Sequence, residues 1–202
     1  MKVSFCAMIW LAGVLVAGAE GTSTPPVVAG EVADLLSSGR DCLINGKMTE
    51  AQALFEKACS LDPANHEAAF GLSAAYIELK RYELALPLLE KLNKEVPDNP
   101  MVKNNLAWAL LKVKDPVPTN AARAVKLARA ALLDVPSDYS IWNTLGEAYY
   151  ATGQFEKGLG AAQSGLRLSL LAGMTNTPCR ELAARCRKAA GAASLNKDND
   201  RP

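Results

Sequence analysis

Trp142-Asn143-Thr144-Leu145-Gly146-Glu147-Ala148-Tyr149, followed by a turn at Gly153 and then by Phe155, Gly158, Ala162 and Gly165, is the stretch on which the fold turns. Trp142, Leu145 and Tyr149 fall at i, i+3 and i+7, one face of a helix, and the small residues after the turn mark a second helix able to approach the first closely. Neither helix can bury its apolar face alone, so the pair has to be one unit of a larger stack.

The same residue types recur upstream. In a first unit, 32–65, Leu35, Leu36, Gly39, Cys42 and Leu43 form a helical stripe; Asn45-Gly46 breaks it, and Ala51, Phe55, Ala58 and Leu61 form the next, ended by Asp62-Pro63. Proline stops that helix because its ring has no N–H and disfavours helix in the residue before it. A second unit, 66–99, repeats the order with Leu72, Ser73, Tyr76, Ala85, Leu89, Leu92 and Pro97; Pro87, early in its second helix, predicts at most a slight bend. A third, 100–138, carries Leu106-Ala107, Leu110, Ala124, Ala128, Ala131 and Pro136, and its extra length falls in Lys114-Asp115-Pro116-Val117-Pro118-Thr119, read as an extended excursion. Such a loop serves either a partner or nothing at all. The fourth unit, 139–172, has Leu170 in place of the proline, which lets its second helix run on. Thr177-Pro178 then reads as an N-cap and first helical residue, opening a capping helix over 178–195. Its apolar stripe is Cys179, Leu182, Cys186, Ala189 and Ala193, opposite Arg180, Arg185, Arg187 and Lys188. Residues 196–202 are expected to be a disordered tail. Gly160 stands at a position that the repeated pattern does not require to be small.

These offsets resemble the tetratricopeptide repeat: a large residue, Leu-Gly, Tyr, a small residue, an aromatic, another small residue and Pro. The resemblance covers nearly all of 32–195 and implies an all-α fold, a right-handed α-α superhelix of about four helix-turn-helix units with a C-terminal capping helix. Composition agrees: 50% of residues are hydrophobic but only 6% aromatic, which suits close-packed helices better than a β-sandwich.

The chain opens Met1-Lys2, runs without charge from Val3 to Ala19, and ends that run in Ala17-Gly18-Ala19. This is the pattern of a secretory signal peptide over 1–19, cut after Ala19, and it places the protein outside the cytoplasm, periplasmic or secreted. An uncleaved membrane anchor is the alternative, the apolar run being at the lower limit for a span. A linker over 20–31, with Thr22-Ser23-Thr24-Pro25-Pro26, follows. No later segment is long and apolar enough to span. From Glu20 to Pro100 there are 13 acidic and 7 basic residues, a balance of −6; from Met101 to Pro202 there are 8 and 14, a balance of +6. That polarity marks solvated faces, or aligns subunits head to tail or steers a charged partner. Cys179 and Cys186 lie two helical turns apart, too far for a bridge within one helix. Cys42 and Cys59 are expected as buried small hydrophobes.

Little points to chemistry. His66-Glu67-Ala68-Ala69-Phe70 starts like a zinc-protease helix, but Phe70 occupies the second histidine's place, and the chain has 1 histidine. Gly158-Leu159-Gly160-Ala161-Ala162-Gln163 lacks a third glycine and a preceding strand. No catalytic, cofactor or metal site is expected; the remaining enzyme-class idea is a thiol role for Cys179 and Cys186. Four cations on the last helix without interleaved aromatics do not make a nucleic-acid surface.

What the resemblance implies instead is a concave groove lined by the first helix of each repeat. The matching residues are Leu36, Arg40, Leu43 and Ile44; Glu67, Phe70, Ala74, Ile77 and Glu78; Met101, Asn104, Trp108, Leu111 and Lys112; and Ser140, Asn143, Glu147 and Tyr150. Members that clamp acidic chaperone C-termini need Lys and Asn where this chain has Leu36 and Arg40, so that role does not carry over. Phe70, Ile77, Trp108, Leu111 and Tyr150 suit a peptide or amphipathic helix of another protein. The alternatives are that the stripe is covered by the chain's own linker or by a second copy. The expected function is therefore an exported, non-enzymatic adaptor or assembly scaffold, or else a self-assembling structural protein of the cell envelope.

Overall fold

The computed structural model describes residues 26–114 and 118–199, with side chains over 28–114 and 118–193. The expected leader, the start of the linker and residues 115–117 of the third unit's excursion lie outside the described residues. What is described is helix and turn: α1 (Pro26–Ile44), α2 (Met48–Leu61), α3 (His66–Glu78), α4 (Tyr82–Glu95), α5 (Pro100–Lys112), α6 (Pro118–Asp134), α7 (Tyr139–Ala151), α8 (Phe155–Leu171) and α9 (Thr177–Asn199). They fall into two compact units that divide between Asp98 and Asn99.

The hairpins are closed by one repeated device. After α1, the N–H of Gly46 donates to the Leu43 carbonyl and that of Lys47 to the Cys42 carbonyl. Lys80 and Arg81 do the same after α3, Gly153 and Gln154 after α7, and Gly173 and Met174 after α8. Each is a Schellman ending, in which a left-handed residue lets two N–H groups turn back onto orphan helix carbonyls. Gly46, Gly153 and Gly173 hold φ of 75°, 72° and 70°; Lys80 holds 59° without being glycine. The third unit lacks the device. After α5, Val113 is extended (φ −57°, ψ 151°), and α6 opens at Pro118.

A second device starts the first helices. Asn65 Oδ1 accepts from the Ala68 N–H at 2.9 Å, Asn99 Oδ1 from Met101 and Val102 at 2.9 and 3.1 Å, and Asp138 Oδ1 from Ser140 at 2.7 Å. Each cap sits two residues after a proline, so Pro63, Pro97 and Pro136 end one helix and position the cap of the next. Ahead of α9 the cap is Asn176, whose Oδ1 accepts from the Cys179 N–H at 3.0 Å. The cap expected at Thr177 is thus one residue early in the chain: the longer amide side chain reaches the first-turn donor, and Thr177 joins the helix. Three further boundaries move. α1 begins at Pro26, not after 31, because Val28 and Val32 pack onto the core and extend the helix. α6 takes Pro118 and Thr119 into its first turn, where a missing N–H costs nothing. α9 continues to Asn199, into the first part of the expected 196–202 tail, whose residues 200–202 lie outside the described residues.

In the first unit Phe55 is 0% exposed and sits between two glycines. A Cβ on Gly39 of α1 would stand 2.8 Å from its ring and one on Gly71 of α3 2.4 Å, closer than any packed carbon tolerates. Val32, Leu36, Leu43, Ala51, Ala58 and Leu72 complete this core. In the second unit the core between α5, α6, α7 and α8 is built on Ala107, Ala124, Ala128, Leu145, Ala148 and Ala161, so the helices approach closely. α9 then lays Cys179, Leu182 and Cys186 onto three glycines. Cβ atoms on Gly165, Gly146 and Gly158 would stand 2.8, 2.7 and 2.9 Å from the Cys179 sulfur, a Leu182 methyl and the Cys186 sulfur. By its Asx cap and its buried stripe, α9 resembles the first helix of a repeat.

Candidate functional site

The residues expected to line the first helices divide by what the fold does with them. In the first unit Leu36 and Leu43 belong to the core around Phe55. They offer no side chain to a partner, because α1 turns them onto α2 and α3. Phe70 and Ile77 are also buried, whereas Ile44, at the end of α1, is 49% exposed. Arg40 pairs with Glu67, joining α1 to α3 along the same face.

In the second unit Asn104 on α5 is 1% exposed, and neither its Nδ2 nor its Oδ1 has a hydrogen-bond partner among the described residues. A buried amide left so costs roughly 1–3 kcal/mol. Trp108, one turn on, is half-buried, with the Lys112 ammonium 4.4 Å from its ring centroid. Leu111 packs against the alanine core.

On α7 the expected residues are already engaged by α9. Asn143 Oδ1 accepts from the Cys179 thiol at 3.6 Å and is buried. Glu147 receives a two-pronged pair from Arg185 at 2.7 and 3.1 Å, and the Arg185 guanidinium lies 4.5 Å from the Tyr150 ring centroid. The hydrogen bonds to Glu147 hold the Arg185 pKa above its usual value. Arg185 was expected on a solvated face; instead it fastens α9 to α7. Residues 38 apart on different helices leave no local cue for such a pair.

The four described cysteines are free thiols. Cys42 and Cys59 are half-buried, not buried as expected, because each lies at the margin of the Phe55 core. Cys179 and Cys186 are fully buried, and burial pushes the Cys179 pKa up to about 12. A thiol so protonated and enclosed is a poor nucleophile, which counts against a thiol chemistry. Among the described residues no group of His, Cys, Asp and Glu could hold a metal ion. Nor is any described helix long and apolar enough to cross a membrane.

An all-α array of helix-turn-helix units, with Asx caps after periodic prolines, defines a helical-repeat protein. The tetratricopeptide repeat family matches it over residues 43–109 and again over 119–169, and the chain belongs to that family. Solved relatives share the fold. A thermophilic tetratricopeptide-repeat protein of Thermus thermophilus superposes with a TM-score of 0.66 at 19% identity, covering 79% of this chain and 83% of that one. MamA from Desulfovibrio magneticus does so with a TM-score of 0.57 at 20% identity, over 85% and 98%. In sequence, the chain is 28% identical to Superkiller protein 3 of Schizosaccharomyces pombe over 116 residues, 56% of this chain but 8% of that much longer protein. The family and the fold are those of protein-interaction modules.

Proposed function

We propose that the protein is an exported, non-enzymatic adaptor or assembly scaffold that holds a peptide or amphipathic helix of a partner against the first helices of its repeats. The observation that carries this reading is Trp108, half-buried on α5 with Lys112 against its ring. An indole beside a cation provides both the apolar area and the charge that anchor a partner's side chain. Leu36, Leu43 and Asn143 have no part in it, since core packing or α9 occupies them. A photo-crosslinking amino acid at position 108, incorporated in cells, tests the reading. A defined heterologous protein captured there, and lost on Lys112→Glu, is the expected result; crosslinks confined to the chain itself would overturn it.

Export rests on Met1-Lys2, the uncharged run to Ala19 and its small-residue end. Amino-terminal sequencing of protein recovered from its cells is expected to begin at Glu20. The opposed charge balances of the two halves, −6 and +6, favour one second reading, self-assembly. Solution mass across a salt series separates the two, since a monomer at every ionic strength removes self-assembly.

A further inference from the structure

Within the second unit a cleft of about 500 Å³ opens between α6 and α8, floored by α7. That is ample for a large side chain and its neighbours. Leu132, Trp142 and Tyr149 give it apolar surface, Arg129 and Lys157 flank it, and Gly160 lies in its α8 wall. Among the described residues no carboxylate lines it.

Gly160 is the first reason to read the cleft as built. Glycine inside a helix costs roughly 1 kcal/mol relative to alanine, and elsewhere on α8 packing explains it, since Gly158 and Gly165 make room for the two thiols of α9. At Gly160 nothing lies within 4 Å of where a Cβ would be. The missing side chain accommodates no neighbour; it leaves the cleft open.

Trp142 is the second reason. Its indole N–H is already donated to the Pro136 carbonyl at 2.8 Å, which fixes the ring and leaves its apolar surface to the cleft. Charge is the third. Arg129 makes no ion pair among the described residues, and Lys157 meets only the Gln154 amide, at 2.8 Å, and the Tyr149 ring, 5.8 Å from its centroid. Two cations over an aromatic floor, with no anion among the described residues to answer them, are complementary to an acidic group attached to an apolar one. Two charges are too few for the phosphate row of a nucleic acid, whose binding depends on neutralising many.

We propose that this cleft docks an acidic peptide segment of a partner protein, which inserts one aromatic or branched aliphatic side chain against Trp142 and Tyr149 and sets a carboxylate against Arg129 and Lys157. Its walls are the second helices α6 and α8, its floor is the Trp142 and Tyr149 side of α7, and none of its residues is among those around Trp108, so it stands or falls apart from the function proposed above.

The test uses the chain from Glu20 onward and three labelled pentapeptides, read by fluorescence anisotropy: phenylalanine flanked by glutamates, serine flanked by glutamates, and phenylalanine flanked by lysines. The first is expected to bind at least tenfold more tightly than the other two. Gly160→Leu, which fills the cleft, is expected to abolish that binding, and Arg129→Glu with Lys157→Glu to weaken it at least tenfold. The charge changes are at exposed positions and keep the test valid should Gly160→Leu melt early. Absence of binding, equal binding of the serine peptide, or affinity indifferent to both variants would overturn the proposal. So would tighter binding of a single-stranded oligonucleotide at the same residues, or binding lost on Trp108→Ala and kept in Gly160→Leu.

Discussion

Phe55 shows how one ring sets the spacing of three helices. It fills the gap between Gly39 and Gly71, and replacing it with alanine leaves a cavity that helices this close cannot collapse. Phe55→Ala is expected to cost about 3–5 kcal/mol, read as a lowered urea midpoint. Phe55 and Gly39 stand in the sequence pattern; Gly71 does not. It precedes Leu72-Ser73, where the pattern puts Leu-Gly, and it serves a ring from the hairpin before it, so its purpose is visible only in three dimensions. Cys179 gives a pH signature at the same scale. Its folded pKa of about 12 lies above the roughly 8.5 of a thiol in the unfolded chain. Between those values the unfolded state binds fewer protons, so the thiol's contribution is complete below about pH 8.5 and is lost as pH rises, by about 1.4 kcal/mol per unit. Denaturant titrations from pH 7 to 10 are expected to show that decline, and Cys179→Ala to flatten it; burial raises the Cys186 pKa in the same direction and supplies a residual slope.

At the scale of the element, the endings of the helices were more legible than their starts. Asn45-Gly46 and Gly153 announce their turns, and Pro63, Pro97 and Pro136 announce the stops two residues ahead of each cap. The turn through Lys80-Arg81-Tyr82 is legible from the repeated offsets but its positive φ is not, because a lysine in that conformation has no signature in sequence; the matching turns of the array identify the position as a glycine site. Lys80→Gly is expected to stabilise the first unit by roughly 0.5–1 kcal/mol, through relief of left-handed strain, measured as a raised melting temperature. The third unit's irregularity was legible as length and prolines, and its physical content is the absence of a left-handed ending after α5. What the sequence could not convey was α9's reach. Its stripe of Cys179, Leu182 and Cys186 was readable, yet the Arg185–Glu147 pair and the coverage of Asn143 depend on how far the helix leans over α7.

At the scale of the whole molecule, the all-α architecture followed from period and composition and the family from the resemblance of the repeated residues, whereas half of the expected groove did not survive as an accessible surface. Pattern positions say which helix a residue belongs to; whether its side chain faces a partner or the next helix depends on small rotations that Leu36 and Leu43 resolve inward. The division at Asp98 and Asn99 was not legible either, since Pro97 and Asn99 repeat the signals of the other junctions. Because each unit holds its own core, a fragment spanning 99–199 is expected to be helical and to melt cooperatively by circular dichroism, and a non-cooperative melt would refute that independence.

Two sulfur atoms resting on glycines also make the last helix a clock. A maleimide cannot reach Cys179 or Cys186 while α9 is seated, so in a chain with Cys42 and Cys59 replaced by serine each labelling event at these two sulfurs records a moment when the helix has lifted. Counting those events over hours, against the rate for an unfolded thiol, gives the fraction of time the array stands one helix short.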